Sequence, residues 1–401
     1  MLEIRPIFNA LMRSKAGALM LLVQIAITMA IVSNAAFIIK EKVEFLSQET
    51  GYPEDEIFSF GVMTYGKDFD LVQKFEENET LLRNIPGVIN ASLFSDIPLS
   101  GSGSATSFQL DADPTDSKSV RAAYINTDEH GIDVLGVKII EGRNFTVDEV
   151  IISTDPTILP KVGLVTKSFL DEMFPDGDGL GNTIFFGPNP MKIIGVVEKM
   201  MGPWLRDSAA DNMVMFPVVR ASSFQRIAMR AQASERAAIM LQIEDLMLAD
   251  YDKRVIFGMQ GMDDAKAEYN AGDVLMMRML VVLIVVLVLV TALGIFGITV
   301  FNINKRTKQI GTRRALGARK SAIVSYFLVE NALICTVGVA FGIIGALVLA
   351  QALFELYSLP ELDYLYIVVT AVFVFSFSLL SVLLPANRAA NISPSVATRS
   401  I

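Results

Sequence analysis

The stretch RTKQIGTRRALGARKSAIVSYF, residues 306–327, lies between two long apolar runs, and the segment from Lys305 to Lys320 carries seven cations and no acid. The runs around it decide the fold. Segments 16–39, 279–304, 331–354 and 364–387 contain no charged residue. Each is long enough for a helix rising about 1.5 Å per residue to cross roughly 30 Å of hydrocarbon. A charged side chain at mid-bilayer costs roughly 2.5–3.5 kcal/mol on insertion scales. Four such gaps in a chain that is 52% hydrophobic and 19% charged therefore predict four transmembrane helices. The first run, preceded by Arg13 and Lys15, also offers Ser33-Asn34-Ala35 as a signal-peptide cut site, but it exceeds the usual signal core of about 7–15 residues, which favours a retained anchor.

Charge sets the expected orientation. Arg5, Arg13 and Lys15 precede the first span, the cationic segment joins the second and third, and Arg388 and Arg399 follow the fourth. The connection between the third and fourth spans holds Glu355, Glu361 and Asp363. By the positive-inside rule, both termini and the cationic segment are cytoplasmic. Residues 40–275 are then exported, and they carry 38 acidic against 21 basic side chains. That excess hints at cationic or amphiphilic cargo, although net charge more often serves solubility.

Four parts follow along the chain. Residues 1–40 comprise an interfacial helix, with Ile4, Ile7, Phe8, Leu11 and Met12 on one stripe, and the first span. Residues 41–95 and 212–275 read as one α+β module split by an insertion. Its first half has a strand at 57–63, a helix at 68–84 with Phe69, Val72 and Phe75 on one face, and a strand at 88–94. Its second half has strands at 214–219 and 226–231, a helix at 234–249 capped by Ser234, and a strand at 255–258. Residues 96–211, rich in glycine, proline and aspartate turns, read as an inserted, mostly β module. Residues 276–401 hold the second span, a basic cytoplasmic segment at 305–321, the third and fourth spans and a cytoplasmic tail. From Met262 the pattern runs helically into the second span without proline, as a continuous helix that could carry force.

Catalytic chemistry finds little support. One cysteine, Cys335, and one histidine, His130, leave no disulfide, no zinc set and no Cys/His nucleophile pair. Asp176-x-Asp178-x-x-x-Asn182 lacks the glycine and glutamate of a calcium loop, and Gly101-x-Gly103 does not extend to a dinucleotide fingerprint, since Thr106 stands at its last position. Neither a metal nor a catalytic residue is assigned. Lys320-Ser321 follows Arg319, so no Walker A motif is present and any ATP must be hydrolysed elsewhere. Among the charged residues nearest the spans, Glu330 lies close to an interface, which disfavours an ion path. Gly338, Gly342 and Ala346 place small residues on one face of the third span, for close packing within the chain or for dimerisation.

The cations of 305–320 would suffice to fix topology and attract anionic lipid. They do not account for the interleaved Ile310, Gly311, Ala315, Leu316, Gly317 and Ala318, which suggest a shaped docking surface on a helix ending near Leu316 and closed by Gly317. Thr307 to Ala318 (TKQIGTRRALGA) resembles the coupling segment of FtsX-like and MacB-like ABC permeases. GVKIIEGRNF at 136–145, FPDGDGLGNTI at 174–184 with IIGVV at 193–197, and PANRAANISP at 385–394 resemble further parts of that family. Gln309 stands where many members have glutamate.

The resemblance implies a four-helix membrane protein in a bacterial inner membrane, with a large α+β periplasmic domain made of a porter-like module at 41–95 and 212–275 and an inserted β-rich module at 96–211, and with 305–321 as its coupling segment. It implies that Ile310, Gly311, Arg313, Arg314, Ala315, Leu316, Gly317 and Ala318 contact a separate ABC ATPase dimer, which binds the ATP and magnesium, this chain itself holding no cofactor. Further implied partners are a second permease, identical or not, a periplasmic adaptor and an outer-membrane channel; no nucleic acid is implied. The expected activity is mechanotransmission that drives efflux of a periplasmic substrate. Lipoprotein extraction and regulation of a periplasmic enzyme are the alternatives.

Overall fold

In the computed structural model, residues 15–66, 70–113, 117–155, 157–357 and 362–393 are described. The expected interfacial helix, and Phe69, lie outside them. The chain divides into two compact units, Met1–Ser47 with Gly272–Ile401, and Gln48–Ala271.

The first unit is built from four apolar helices, α1 (Lys15–Leu46), α7 (Ala271–Lys305), α9 (Lys320–Tyr357) and α10 (Tyr364–Ala390), each long and apolar enough to cross a membrane. Ser33, Asn34 and Ala35 are buried in the middle of α1, which continues without interruption through the expected cut site. Polar side chains tie the helices together where water is absent. The Thr28 and Thr291 hydroxyls pair at 2.8 Å, Gln24 donates to the Val290 carbonyl at 2.9 Å, and Asn331 donates to the Ser378 carbonyl at 3.2 Å. The stripe on α9 is filled by α1: a Cβ on Gly342 would lie 2.5 Å from Met29 Cβ, and one on Gly338 2.9 Å from Ile25 Cγ2. Asn34 donates to the Ala346 carbonyl at 3.1 Å. Gly338, Gly342 and Ala346 thus serve packing inside the chain, and that face is not free for a second copy.

The second unit contains two sheets. The four-stranded antiparallel sheet has the order β12-β1-β11-β2, from β1 (Ile57–Thr64), β2 (Val88–Leu93), β11 (Phe224–Ala231) and β12 (Arg254–Gly261). Alternation puts Phe58, Phe60 and Val62 of β1 on one face, where they meet Phe75 and Leu82 of α2 (Leu71–Arg83) and Ile239, Ile243 and Met247 of α5 (Arg236–Asp250). Each half contributes one strand-helix-strand unit, a split βαβ arrangement. Asp70 caps α2 by accepting from the amides of Val72 and Gln73. Helix α5 starts two residues later than expected, with Glu235 at the cap position and no side-chain cap bond, so Ser234 is not its cap.

The other sheet joins β3 (Ser104–Gln109), β4 (Ser119–Thr127), β6 (Ile151–Ser153), β7 (Val162–Thr166), β8 (Thr183–Phe186), β9 (Asn189–Val197) and β10 (Met213–Arg220), with β5 (Ile139–Gly142) on β9. A parallel pairing of β4 with β10, from Ala123 opposite Met213 to Thr127 opposite Pro217, closes six of these strands into a ring. Its interior holds Phe108, Val120, Ile184, Met191, Val214 and Phe216, and α4 (Lys167–Met173) adds Phe169 and Met173 at one end. Helix α3 (Gly131–Leu135) follows β4. The expected boundary at 211/212 therefore falls too early: β10 belongs to the ring, and the chain changes sheets at Ala221–Ser223. In the aspartate-glycine turn of 176–187, Gly177, Asp178, Gly181 and Gly187 take positive φ, and no metal-binding cluster of His, Cys, Asp or Glu occurs among the described residues.

Candidate functional site

Two breaks define the connection between α7 and α9. At Arg306 (φ −106°, ψ 10°) α7 stops, and a separate helix α8 (Thr307–Ala315) begins. The expected single helix ending near Leu316 is thus two elements. Its far end closes as anticipated: Gly317 takes φ +91°, its amide donates to Arg314 O at 3.1 Å, and the Ala318 amide donates to Arg313 O at 3.0 Å. This double bond pattern is the Schellman closure that glycine favours. The helix expected to run from Met262 into the second span is also divided, into α6 (Met262–Tyr269) and α7, with Asn270 between.

Helix α8 has an inward and an outward face. Ile310 and Gly311 are buried, and Ile310 joins Ile303, Ile323 and Phe327 with Ala386, Ala389 and Ala390 of α10. Thr312, Arg313, Ala315, Leu316 and Gly317 are exposed, Leu316 at 83%. Arg314 turns back, donating to the Ala318 carbonyl at 2.8 Å. Of the expected contact residues, Ile310 and Gly311 therefore seat the helix, while Leu316 and its neighbours form its outer surface.

Sequence reasoning missed the clamp beneath. Arg306 pairs with the buried Glu330 of α9 at 3.0 Å and donates to Tyr326 Oη at 3.1 Å. The Arg313 guanidinium lies over the Tyr326 ring, 5.4 Å from its centroid. A buried ion pair gains net energy only with good geometry and further hydrogen bonds, and Tyr326 supplies one. The signal available in the sequence was Glu330 alone, the only acid between residues 274 and 354.

Two family models match the chain. Residues 25–246 match the MacB-like periplasmic core domain, and residues 281–394 match the FtsX-like permease C-terminal region. A macrolide export ATP-binding/permease protein MacB of Neisseria meningitidis serogroup A is 28% identical over 257 residues, covering 60% of this chain and 38% of that protein. The chain thus spans well under half the length of the MacB relatives it matches. An uncharacterized ABC transporter permease, YvrN of Bacillus subtilis, is 25% identical over 296 residues, 68% of each chain. Among solved structures, the periplasmic region of MacB from Actinobacillus actinomycetemcomitans is similar at 16% identity and a TM-score of 0.33, over 52% of this chain and 91% of that one. The extracellular domain of the ABC-type transporter YknZ gives 13% and 0.32, over 50% and 100%. With over half its length matched by the periplasmic core model and the helical remainder by the permease model, the chain belongs to the MacB-like periplasmic core domain family and carries an FtsX-like permease C-terminal region.

Proposed function

We propose that this chain is the permease subunit of a MacB-like ABC exporter, in which α8 takes up the motion of a separate ATPase on the cytoplasmic side. The spans pass that motion to the exported unit, where it drives efflux of a periplasmic substrate. The observation that carries the reading is the two-sidedness of α8: a short helix seated through Ile310 and the Arg306–Glu330 pair, presenting Leu316 at 83% exposure among cations. An exposed leucine on a pinned helix suits a hydrophobic contact with another protein better than it suits water. The positive-inside rule supports cytoplasmic termini and a cytoplasmic α8. ATP and magnesium belong to the partner ATPase dimer, and a second permease, a periplasmic adaptor and an outer-membrane channel complete the proposed pump.

Affinity purification tests this. A Walker-motif ATPase copurifies with the wild-type chain, and Leu316→Glu, which disturbs little else in the fold, removes most of it, as does the triple change of Arg313, Arg314 and Leu316 to glutamate. Absence of an ATPase from the wild-type preparation, or equal recovery with the triple variant, overturns the coupling role.

A further inference from the structure

The six-stranded ring is plugged at one end and open at the other. At the plugged end, where β10 begins and β7 ends, Phe169 and Met173 of α4 enter the interior. At the opposite end, where β10 finishes, a cavity of about 190 Å³ is walled by the rings of Tyr124, Phe186 and Phe216 and by Asn126, Val218 and Arg220. The rings stand edge to face, with centroids 5.5–5.8 Å apart. A second cavity of about 170 Å³ shares Asn126, Val218 and Arg220 and lies between the ring and the four-stranded sheet, where Leu93, Phe224, Gln225 and Arg226 line it. Mouths of β-barrels are preferred ligand positions, and an apolar cavity of about 150 Å³ is room enough for benzene.

The charge at this mouth is the reverse of its surroundings. Residues 40–275 carry 38 acids against 21 bases, yet among the described residues both cavities are lined by arginine and by no acidic side chain. Arg220 donates to the carbonyls of Asp155 and Ile158 and lies near the Asp155 carboxylate, which it helps to hold down. Arg226 is half-buried and has no side-chain hydrogen bond or ion pair among the described residues. A partly exposed guanidinium with no counter-charge from the protein is available to an anionic ligand that displaces its water.

We propose that the open mouth of the ring binds a small anionic amphiphile, an aromatic or short apolar body bearing one carboxylate or similar acid. The body enters among Tyr124, Phe186 and Phe216, and the acid faces Arg220 and Arg226. This site is independent of the transport reading, because it is defined by the exported unit alone and its test reads binding without an ATPase.

The test uses the full chain in phosphatidylcholine nanodiscs with 4-benzoylbenzoate, an aromatic carboxylate photoprobe, and its uncharged amide. After illumination, mass spectrometry of peptides locates the label. The carboxylate labels strands β4, β8 or β10 about tenfold more than the amide, the scale of one charge-assisted hydrogen bond. Arg226→Gln, which breaks no existing contact, lowers that labelling by a similar factor, and Val218→Trp, which fills the space shared by both cavities, abolishes it. Thermal melting confirms that each variant is folded; should Val218→Trp not fold, Arg226→Gln alone decides. Equal labelling by acid and amide, label confined to the membrane helices, or an unchanged Arg226→Gln overturns the proposal.

Discussion

Glu79 lies at the seam between the two sheets of the exported unit, only 4% exposed, with Asp128 at 3% beside it. Burial, reinforced by the neighbouring Asp128 carboxylate, pushes the Glu79 carboxyl up to about 10, although Arg83 opposes that. The Glu79 Oε1 accepts from the Leu93 amide at 3.0 Å and its Oε2 accepts from Arg83, with the Asp128 carboxyl alongside. Asp128 in turn accepts from Ser92 Oγ at 2.6 Å and from the His130 amide at 2.9 Å, which gives the only histidine a place in the network through its backbone. The folded state thus retains a proton that the unfolded chain releases above about 4.5. Stability must therefore fall as pH rises through the window from about 4.5 to about 10. Glu79→Gln is neutral at every pH and keeps an acceptor for Leu93. Thermal melts between pH 5 and pH 9 should show the wild type losing stability with rising pH and the variant following a flatter course; parallel curves would show that Glu79 is ionised in the fold. Glu149 behaves in the opposite sense. Its pairing with Arg143 at 2.7 Å holds it down to about 2, so its contribution is complete above about 4.5 and disappears only as pH falls toward 2.

Among the elements, α9 depends most on what it lacks. Gly342→Leu would drive a side chain into Met29 of α1, and overpacking of this kind costs about 1–3 kcal/mol. The variant should melt earlier in detergent than Gly297→Leu, since nothing lies within 4 Å of a Cβ built at Gly297. Equal melting of the two would mean that α1 and α9 are not tightly packed. The contrast explains what the sequence made legible. Uncharged length identified the spans, and the spacing of small residues identified a close-packing face, because both are local properties. Which helix fills that face is a matter of tertiary contact, and no local pattern names Ile25 and Met29. The coupling segment divides in the same way. Gly317 was readable because a positive φ demands glycine, whereas the break at Arg306 was not: it sits among ordinary helix formers and is held by a partner, Glu330, that is 24 residues away.

At the scale of the whole molecule, the strand-helix-strand halves of the porter-like module were readable from alternation and turn residues, but the ring was not. Its closure is a parallel pairing of β4 with β10, with strands β5 to β9 between them in the chain, and such long-range pairings leave no periodic trace. The same topology fixes an order of events during synthesis. Strands β1 and β2 are not neighbours; each lies against β11, Ile57 opposite Arg230 and Leu93 opposite Ile227. The first strands made therefore wait for nearly the last, and the ring can close before they are paired. Protease protection of released, C-terminally truncated chains should appear in that sequence. A chain ending at Ala210 stays cleavable throughout, one ending at Ser223 protects 104–220 but not 57–93, and one extending past Gly261 protects both. Protection of 57–93 in the shortest chain would refute this order. Until β11 emerges, the β1 edge, with Phe58 and Phe60, is an unpaired apolar ribbon, so the interval in which this protein needs an escort is written into the position of a single late strand.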